Sequence, residues 1–107
     1  MKKGVCALLM FVSCSVNAGY LVKGGTVTEV VNTSNNGTTF SIKVTGGTNN
    51  LCEGGWIGFP VANAADPDTH KRAYSTVLTA LTAGLKVDIY NYSDNGCGEA
   101  SYVGVKK

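Results

Sequence analysis

The side chains able to do covalent chemistry are few. His70 is the sole histidine. It stands beside Lys71 and Arg72 where a helical pattern begins, so it is expected to be a solvated first-turn residue, and no serine is arranged to use it as a base. Cys52 and Cys97 are expected to be joined, and an oxidised pair cannot supply a thiolate nucleophile. Asp88 and Glu99 fall near neighbouring strands, where two carboxyl groups could in principle serve a hydrolase. Asp66 and Asp68 are better read as helix-capping carboxylates. The remaining cysteines, Cys6 and Cys14, lie in the N-terminal segment, so no thiolate and imidazole set for zinc is expected. Accordingly no catalytic residue, no metal ligand and no cofactor is assigned, and the protein is expected not to be an enzyme.

Recognition chemistry is better represented. Trp56, Tyr90, Tyr92 and Tyr102 are the candidate ligand-binding residues, because indole and phenol rings offer apolar area together with a polar handle. Trp56 lies between Gly55 and Ile57, close to Cys52. It is expected to pack in the core or at a barrel end, with a stacking surface for a sugar or partner as the alternative. Tyr90 and Tyr92 share a face with Lys86 and Asp88. Tyr102 lies opposite Val103 and extends that face if the last two strands are neighbours.

Charge and length narrow the setting for these rings. The whole chain has 107 residues and a net charge of +2, but both excess positives are Lys2 and Lys3. From Gly19 onward six Lys and one Arg balance three Glu and four Asp. A neutral domain lacks the clustered positive charge that nucleic-acid backbones require, so no nucleic-acid partner is expected. Residues 1–18 place two lysines before an apolar run from Val5 to Val12 and end in the small-residue pattern Val16-Asn17-Ala18. This is the layout of a secretory signal peptide, with cleavage expected before Gly19. The apolar run is too short for a membrane span, which needs about 20 residues. A small residue directly before Cys14 leaves lipid anchoring there as a minor alternative to a soluble secreted or periplasmic protein.

Residues 19–107 then form a single domain, small enough for a covalent staple to matter. A Cys52–Cys97 disulfide fits export to an oxidising compartment. The loop it closes, 45 residues by position, corresponds to ~4 kcal/mol in the chain-entropy picture.

The elements that must position the rings are legible from period and punctuation. Residues 26–33 are rich in Thr and Val and read as a strand. A turn at 34–37 leads to a second strand over 38–45, where Phe40, Ile42 and Val44 share one face. A polar turn at 46–50 is followed by a shorter strand near 52–59, bounded by Pro60. The period then changes. Asp66 caps a helix over 67–83, Pro67 opens it, and Gly84 ends it. Its expected core stripe runs through Ala73, Val77, Ala80 and Leu81, widened by Tyr74 and Leu78. Strands over 85–92 and 100–106 complete a β-β-β-α-β-β order. Gly24-Gly25, Gly46-Gly47 and Gly54-Gly55 are read as turns or bulges, since none opens a helix in the manner of a phosphate loop. This order suits a small OB-like barrel, the favoured arrangement, with an open antiparallel α+β sheet as the rival.

The stretch Ala73-Tyr74-Ser75-Thr76, Leu78, Ala80, Gly84 to Tyr90, Cys97 and Ala100-Ser101-Tyr102-Val103 resembles a family of small secreted bacterial proteins of unknown function. More distantly, the helix, the strand after it and the C-terminal cysteine resemble the pentameric, OB-fold B subunits of subtilase-cytotoxin and pertussis-like toxins. That second resemblance implies glycan binding by a ring of subunits, although no glycan-contacting residue of those toxins maps onto this chain. The function expected is therefore a secreted, non-enzymatic recognition module for a host glycan, with a homo-oligomer, a pentamer, as the assembly the toxin resemblance implies. The alternative is a monomeric periplasmic or secreted protein that binds or inhibits another protein.

Overall fold

A computed structural model describes residues 19–32, 37–94 and 96–107. The signal peptide expected over 1–18, Cys14 within it and most of the turn expected at 34–37 lie outside the described residues. Five strands and one long helix follow in the expected order: β1 (Gly19–Asn32), β2 (Thr39–Thr45), β3 (Ile57–Pro60), α1 (Pro67–Ala83), β4 (Lys86–Asn91) and β5 (Tyr102–Lys106). A 3-10 turn, Val61–Asn63, links β3 towards α1.

The strands make one antiparallel sheet in the order β3-β2-β1-β4-β5. The sheet is not closed, so of the two arrangements weighed the open one is observed. Its ends approach each other just ahead of β5. There Gly58 N–H donates to the Cys97 carbonyl at 2.8 Å and Ala100 N–H donates to the Gly58 carbonyl at 2.9 Å. Two bonds bring the edges together without building a ladder between β3 and β5. The Cys52–Cys97 disulfide stands at the same place, with Cα atoms 6.0 Å apart.

Strand β1 begins seven residues before the sequence pattern suggested. Positions 19–26 pair with β4 and 26–32 pair with β2, so only Thr26 belongs to both ladders. Gly24-Gly25, read as a turn or a bulge, form a bulge inside this strand. The register with β4 shifts between Lys23 and Gly25, and Gly24 takes a φ of 72°, which glycine adopts without steric cost. A second shift between Tyr20 and Val22 accompanies the burial of two consecutive side chains, Leu21 and Val22. Two bulges erase the period-two signal that would have marked the strand.

In β2 and β4 the alternation holds. Phe40, Ile42 and Val44 of β2 and Val87 and Ile89 of β4 are buried. The Phe40 ring stacks on its register partner Phe59, centroids 4.8 Å apart, and Tyr74 of α1 meets Phe40 edge-on at 5.1 Å. The third strand is shorter than expected, because residues 51–55 form turns before Ile57.

Helix α1 has the expected ends. The Asp66 side chain accepts from Thr69 N–H at 2.7 Å, Pro67 occupies the first turn, and Gly84 closes the helix at a φ of 70°. Its buried stripe is narrower than expected. Val77 and Ala80 are buried and Ala73 and Tyr74 pack against the core, but Leu78 and Leu81 are 37% and 38% exposed. The helix seats through its small residues, and the two leucines are left at the rim of the contact.

Candidate functional site

Strand β4 turns Val87, Ile89 and Asn91 inward, which sends Asp88 and Tyr90 to the outer face. Register then builds an aromatic row. Tyr20 of β1 pairs with Tyr90, and Tyr90 pairs with Tyr102 of β5. The Tyr20 and Tyr90 rings meet at 88° with centroids 4.9 Å apart, and Tyr90 and Tyr102 at 83° and 6.5 Å. Tyr92, just past the end of β4, folds back to 4.8 Å from Tyr90 at 54°. These four rings line a shallow cavity of about 170 Å³. Pockets for drug-sized ligands run from about 300 Å³ upward, so this one fits a single small group or one projecting part of a larger ligand. Tyr92 is 65% exposed and Tyr20 and Tyr102 about 40%.

Tyr102 and Tyr92 are each held by something specific. Tyr102 lies along its own strand over Gly104: a Cβ there would fall 2.8 Å from the phenol oxygen and 3.3 Å from Cζ. Glycine leaves the bed on which the ring rests. The loop carrying Tyr92 is organised by Asn91, a fully buried polar residue. Its Oδ1 accepts from Ser93 and Asp94 N–H at 2.7 and 3.1 Å, while its Nδ2 donates to Asp94 Oδ1 at 3.0 Å and to the Gly96 carbonyl at 2.8 Å. All four hydrogen-bonding positions of the amide are used.

Beside the row lies a charged group of three. Asp88 Oδ1 accepts from Gly24 N–H at 2.8 Å, the amide freed by the bulge, and Lys106 Nζ approaches Oδ1 and Oδ2 at 3.0 and 3.2 Å. Burial is the largest single influence on the Asp88 carboxyl and favours its neutral form. The Lys106 hydrogen bond, the Gly24 N–H and the charges of Lys106 and Lys23 together outweigh it and hold the group below the ordinary carboxylate value. Lys23, the register partner of Asp88, places its ammonium 4.7 Å from the centroid of the Tyr20 ring.

The structure thus gathers Tyr90, Tyr92 and Tyr102 and adds Tyr20. Trp56 stands apart, ahead of β3 at the other end of the strand order. It is 43% exposed, with Lys43 Nζ 4.6 Å from its ring centroid. The expectation of core or barrel-end packing is corrected: the indole is on the surface, where the outward Lys43 shares its face. His70 is also corrected. It is half-buried, and its Nε2–H donates to the Phe59 carbonyl at 2.7 Å, because the first turn of α1 folds over the end of β3. Asp88 is committed to Gly24 and Lys106, and the Glu99 carbonyl accepts from Asn63 Nδ2 at 2.8 Å. Asp66 caps the helix as expected, its carboxyl held below the ordinary value by the Thr69 backbone and side-chain hydrogen bonds. Among the described residues no group of three or more His, Cys, Asp or Glu could hold a metal ion.

Tyr20 was missed because the first strand was read from residue 26. The signal available was the run Tyr20-Leu21-Val22 before the glycine pair, apolar enough for a strand but out of period. Asn91 carried a clearer signal, an Asn immediately ahead of a Ser-Asp-Asn-Gly turn, a position that favours an Asx turn.

A small β domain with one helix and an outward aromatic row is the class defined by these features. The chain belongs to a family of unknown function, DUF5992, whose profile matches residues 2–107. No curated protein and no solved structure matches it. The Cys52–Cys97 pair fits an extracellular or periplasmic location, and among the described residues no helix is long and apolar enough to cross a membrane.

Proposed function

We propose that this domain is a non-enzymatic recognition module whose ligand-contacting surface is the tyrosine row. One observation carries the reading: three strands in register, and the loop after one of them, bring four tyrosines to a single outward cavity. Tyrosine supplies rigid contact area with little side-chain entropy to lose and a hydroxyl at the tip, the combination that binding surfaces favour. In the favoured form the ligand is a host glycan. A sugar stacks on the exposed outer face of Tyr92, phenol hydroxyls bond its oxygens, and a ring of subunits, a pentamer in the toxin-like version, multiplies a weak single site.

A second reading, a monomer that binds or inhibits another protein, draws support from a different surface. Leu78, Leu81 and Val105 are exposed apolar residues on α1 and β5, and β5 is an edge strand. Native mass across a range of protein concentrations, followed by glycan-array binding of wild type and Tyr92→Ala, separates the two. An oligomer whose glycan signal disappears in Tyr92→Ala supports the first. A monomer at every concentration with no glycan signal refutes it and favours the protein partner.

A further inference from the structure

The interior of the tyrosine cavity differs chemically from its rim. A pyranose stacks on a flat platform, and Tyr92 offers one outward. Inside, Tyr90 meets Tyr20 at 88°, Tyr102 at 83° and Tyr92 at 54°, so no flat ring lies against more than one of these walls. A compact, nearly spherical group touches several walls at once. Aromatic faces carry negative electrostatic potential, so the compact group that gains most from several of them is a cation. The surface already draws one: the Lys23 ammonium stands 4.7 Å from the Tyr20 ring centroid.

The lining also selects among cations. Among the described residues the cavity is lined by Tyr20, Tyr90, Tyr92 and Tyr102, with no carboxylate. The nearby carboxylate, Asp88, is satisfied by Gly24 and Lys106. A primary ammonium entering the cavity would shed water and find only phenol oxygens in return. A quaternary ammonium, with four carbons on nitrogen, has no N–H to satisfy and binds weakly to water, so ring faces suit it better.

We propose that the tyrosine cavity is an aromatic cage for a trimethylammonium group, the chemistry of a choline-type headgroup. The proposal rests on the reading of this face as the recognition surface and narrows the class of ligand that enters it. Lys23 is then a competitor as well as a neighbour, because its charge repels the incoming cation.

The test titrates the oxidised protein with tetramethylammonium chloride and with choline, following tyrosine ring-proton NMR signals. Ammonium chloride at equal ionic strength and 3,3-dimethylbutan-1-ol, the neutral isostere of choline, are the controls. Saturable shifts are expected with both onium salts, and binding of the isostere is expected to be about tenfold weaker or worse. Tyr92 is largely exposed, so its variants keep the fold. Tyr92→Phe preserves the ring and should bind within about twofold of wild type, while Tyr92→Leu should lose about tenfold. Lys23→Gln should bind about twofold tighter through removal of the like charge. Phosphatidylcholine vesicles beside phosphatidylglycerol vesicles distinguish the sources. Selective binding to the former assigns a lipid headgroup, and equal response to free choline without vesicle binding assigns a soluble onium compound; both support the cage. Absence of saturable shifts, or equal binding of the neutral isostere, overturns it. If Tyr92→Leu abolishes glycan binding while onium salts produce no shift, the cage fails and the recognition surface stands. If neither ligand responds, both readings fall.

Discussion

Replacing Asn91 by alanine should be among the most damaging single changes in the domain, although the residue is polar and lies at a strand end. The side chain is fully buried and its amide makes four hydrogen bonds, at 2.7, 2.8, 3.0 and 3.1 Å, to groups between Ser93 and Gly96. At a net contribution of about 1 kcal/mol each, four bonds amount to ~4 kcal/mol. Ser93 is exposed and Asp94 half-exposed, so water replaces part of what their amides lose. The expected cost is therefore about 2–3 kcal/mol. For a domain of this size that corresponds to a fall in Tm of about 10–20 °C. Thermal and urea unfolding of the oxidised protein read it directly, with Ser93→Ala as the control. The serine side chain is on the surface while its amide is what Asn91 holds, so the control should stay within about 0.5 kcal/mol of wild type. The same loop carries Tyr92, so ligand binding at the tyrosine row should weaken in Asn91→Ala even at temperatures where the variant is folded. A loss of stability no larger than the control's would refute the argument that this amide organises the loop.

Three further outcomes are expected. In Gly25→Ala the new Cβ would lie 2.4 Å from Val44 Cγ1 and 3.0 Å from Val22 Cγ2; overpacking of this kind costs about 1–3 kcal/mol, and an unfolding midpoint equal to wild type would contradict it. Gly104→Ala should leave stability nearly unchanged, because the atoms in its way belong to a movable phenol, but should lift Tyr102 from its bed and weaken binding at the tyrosine row; unaltered binding would show that Tyr102 is not a wall of the site. The Asp88 carboxyl is held below its ordinary value in the folded protein, so the unfolded chain takes up its proton first. The stability it provides is present above the ordinary carboxylate pKa, about 3.9, and is lost as pH falls from there through the lowered folded value. Urea midpoints measured between pH 6 and 2 should therefore drop less steeply in Asp88→Asn than in wild type, and parallel curves would refute the assignment.

What could be read in the sequence follows from how local its signals are. The bounds of α1 were recoverable because Asp66, Pro67 and Gly84 each act within one turn. Strands β2 and β4 were recoverable because one buried face leaves a strict alternation. The first half of β1 was hidden for the converse reason: two bulges put Leu21 and Val22 inward together and move Gly24 and Gly25 into the strand, so periodicity failed where the backbone departed from it. Three of the four cavity tyrosines were named from residue type and face, while the partnership of Tyr20 with Tyr90 depends on a pairing across seventy positions that no local pattern encodes. Trp56 and His70 were misplaced by the same limitation. Whether an aromatic ring is covered depends on which strand ends beside it, and the indole before β3 stays 43% exposed beside the Lys43 ammonium. The openness of the sheet was likewise undecidable, since two hydrogen bonds at Gly58 separate an approach from a closed ladder.

The stagger of β1 also dictates an order of assembly. Its second half closes a short hairpin with β2, where Asn32 and Phe40 are only 8 positions apart, whereas its first half must wait for β4, with Gly19 and Asn91 separated by 72. Loop-closure entropy makes the distant pairing costlier by about 2 kcal/mol before any contact rewards it. Until β4 arrives, the opening residues of β1 present unpaired amides with Leu21 and Val22 uncovered, the kind of edge that invites association with another chain. The pairing completed last is that of β4 with this edge, and it is the one that brings Tyr20 against Tyr90. An immature chain therefore lacks the Tyr20 wall of the proposed recognition surface, and on that reading full capacity to bind reports completed folding.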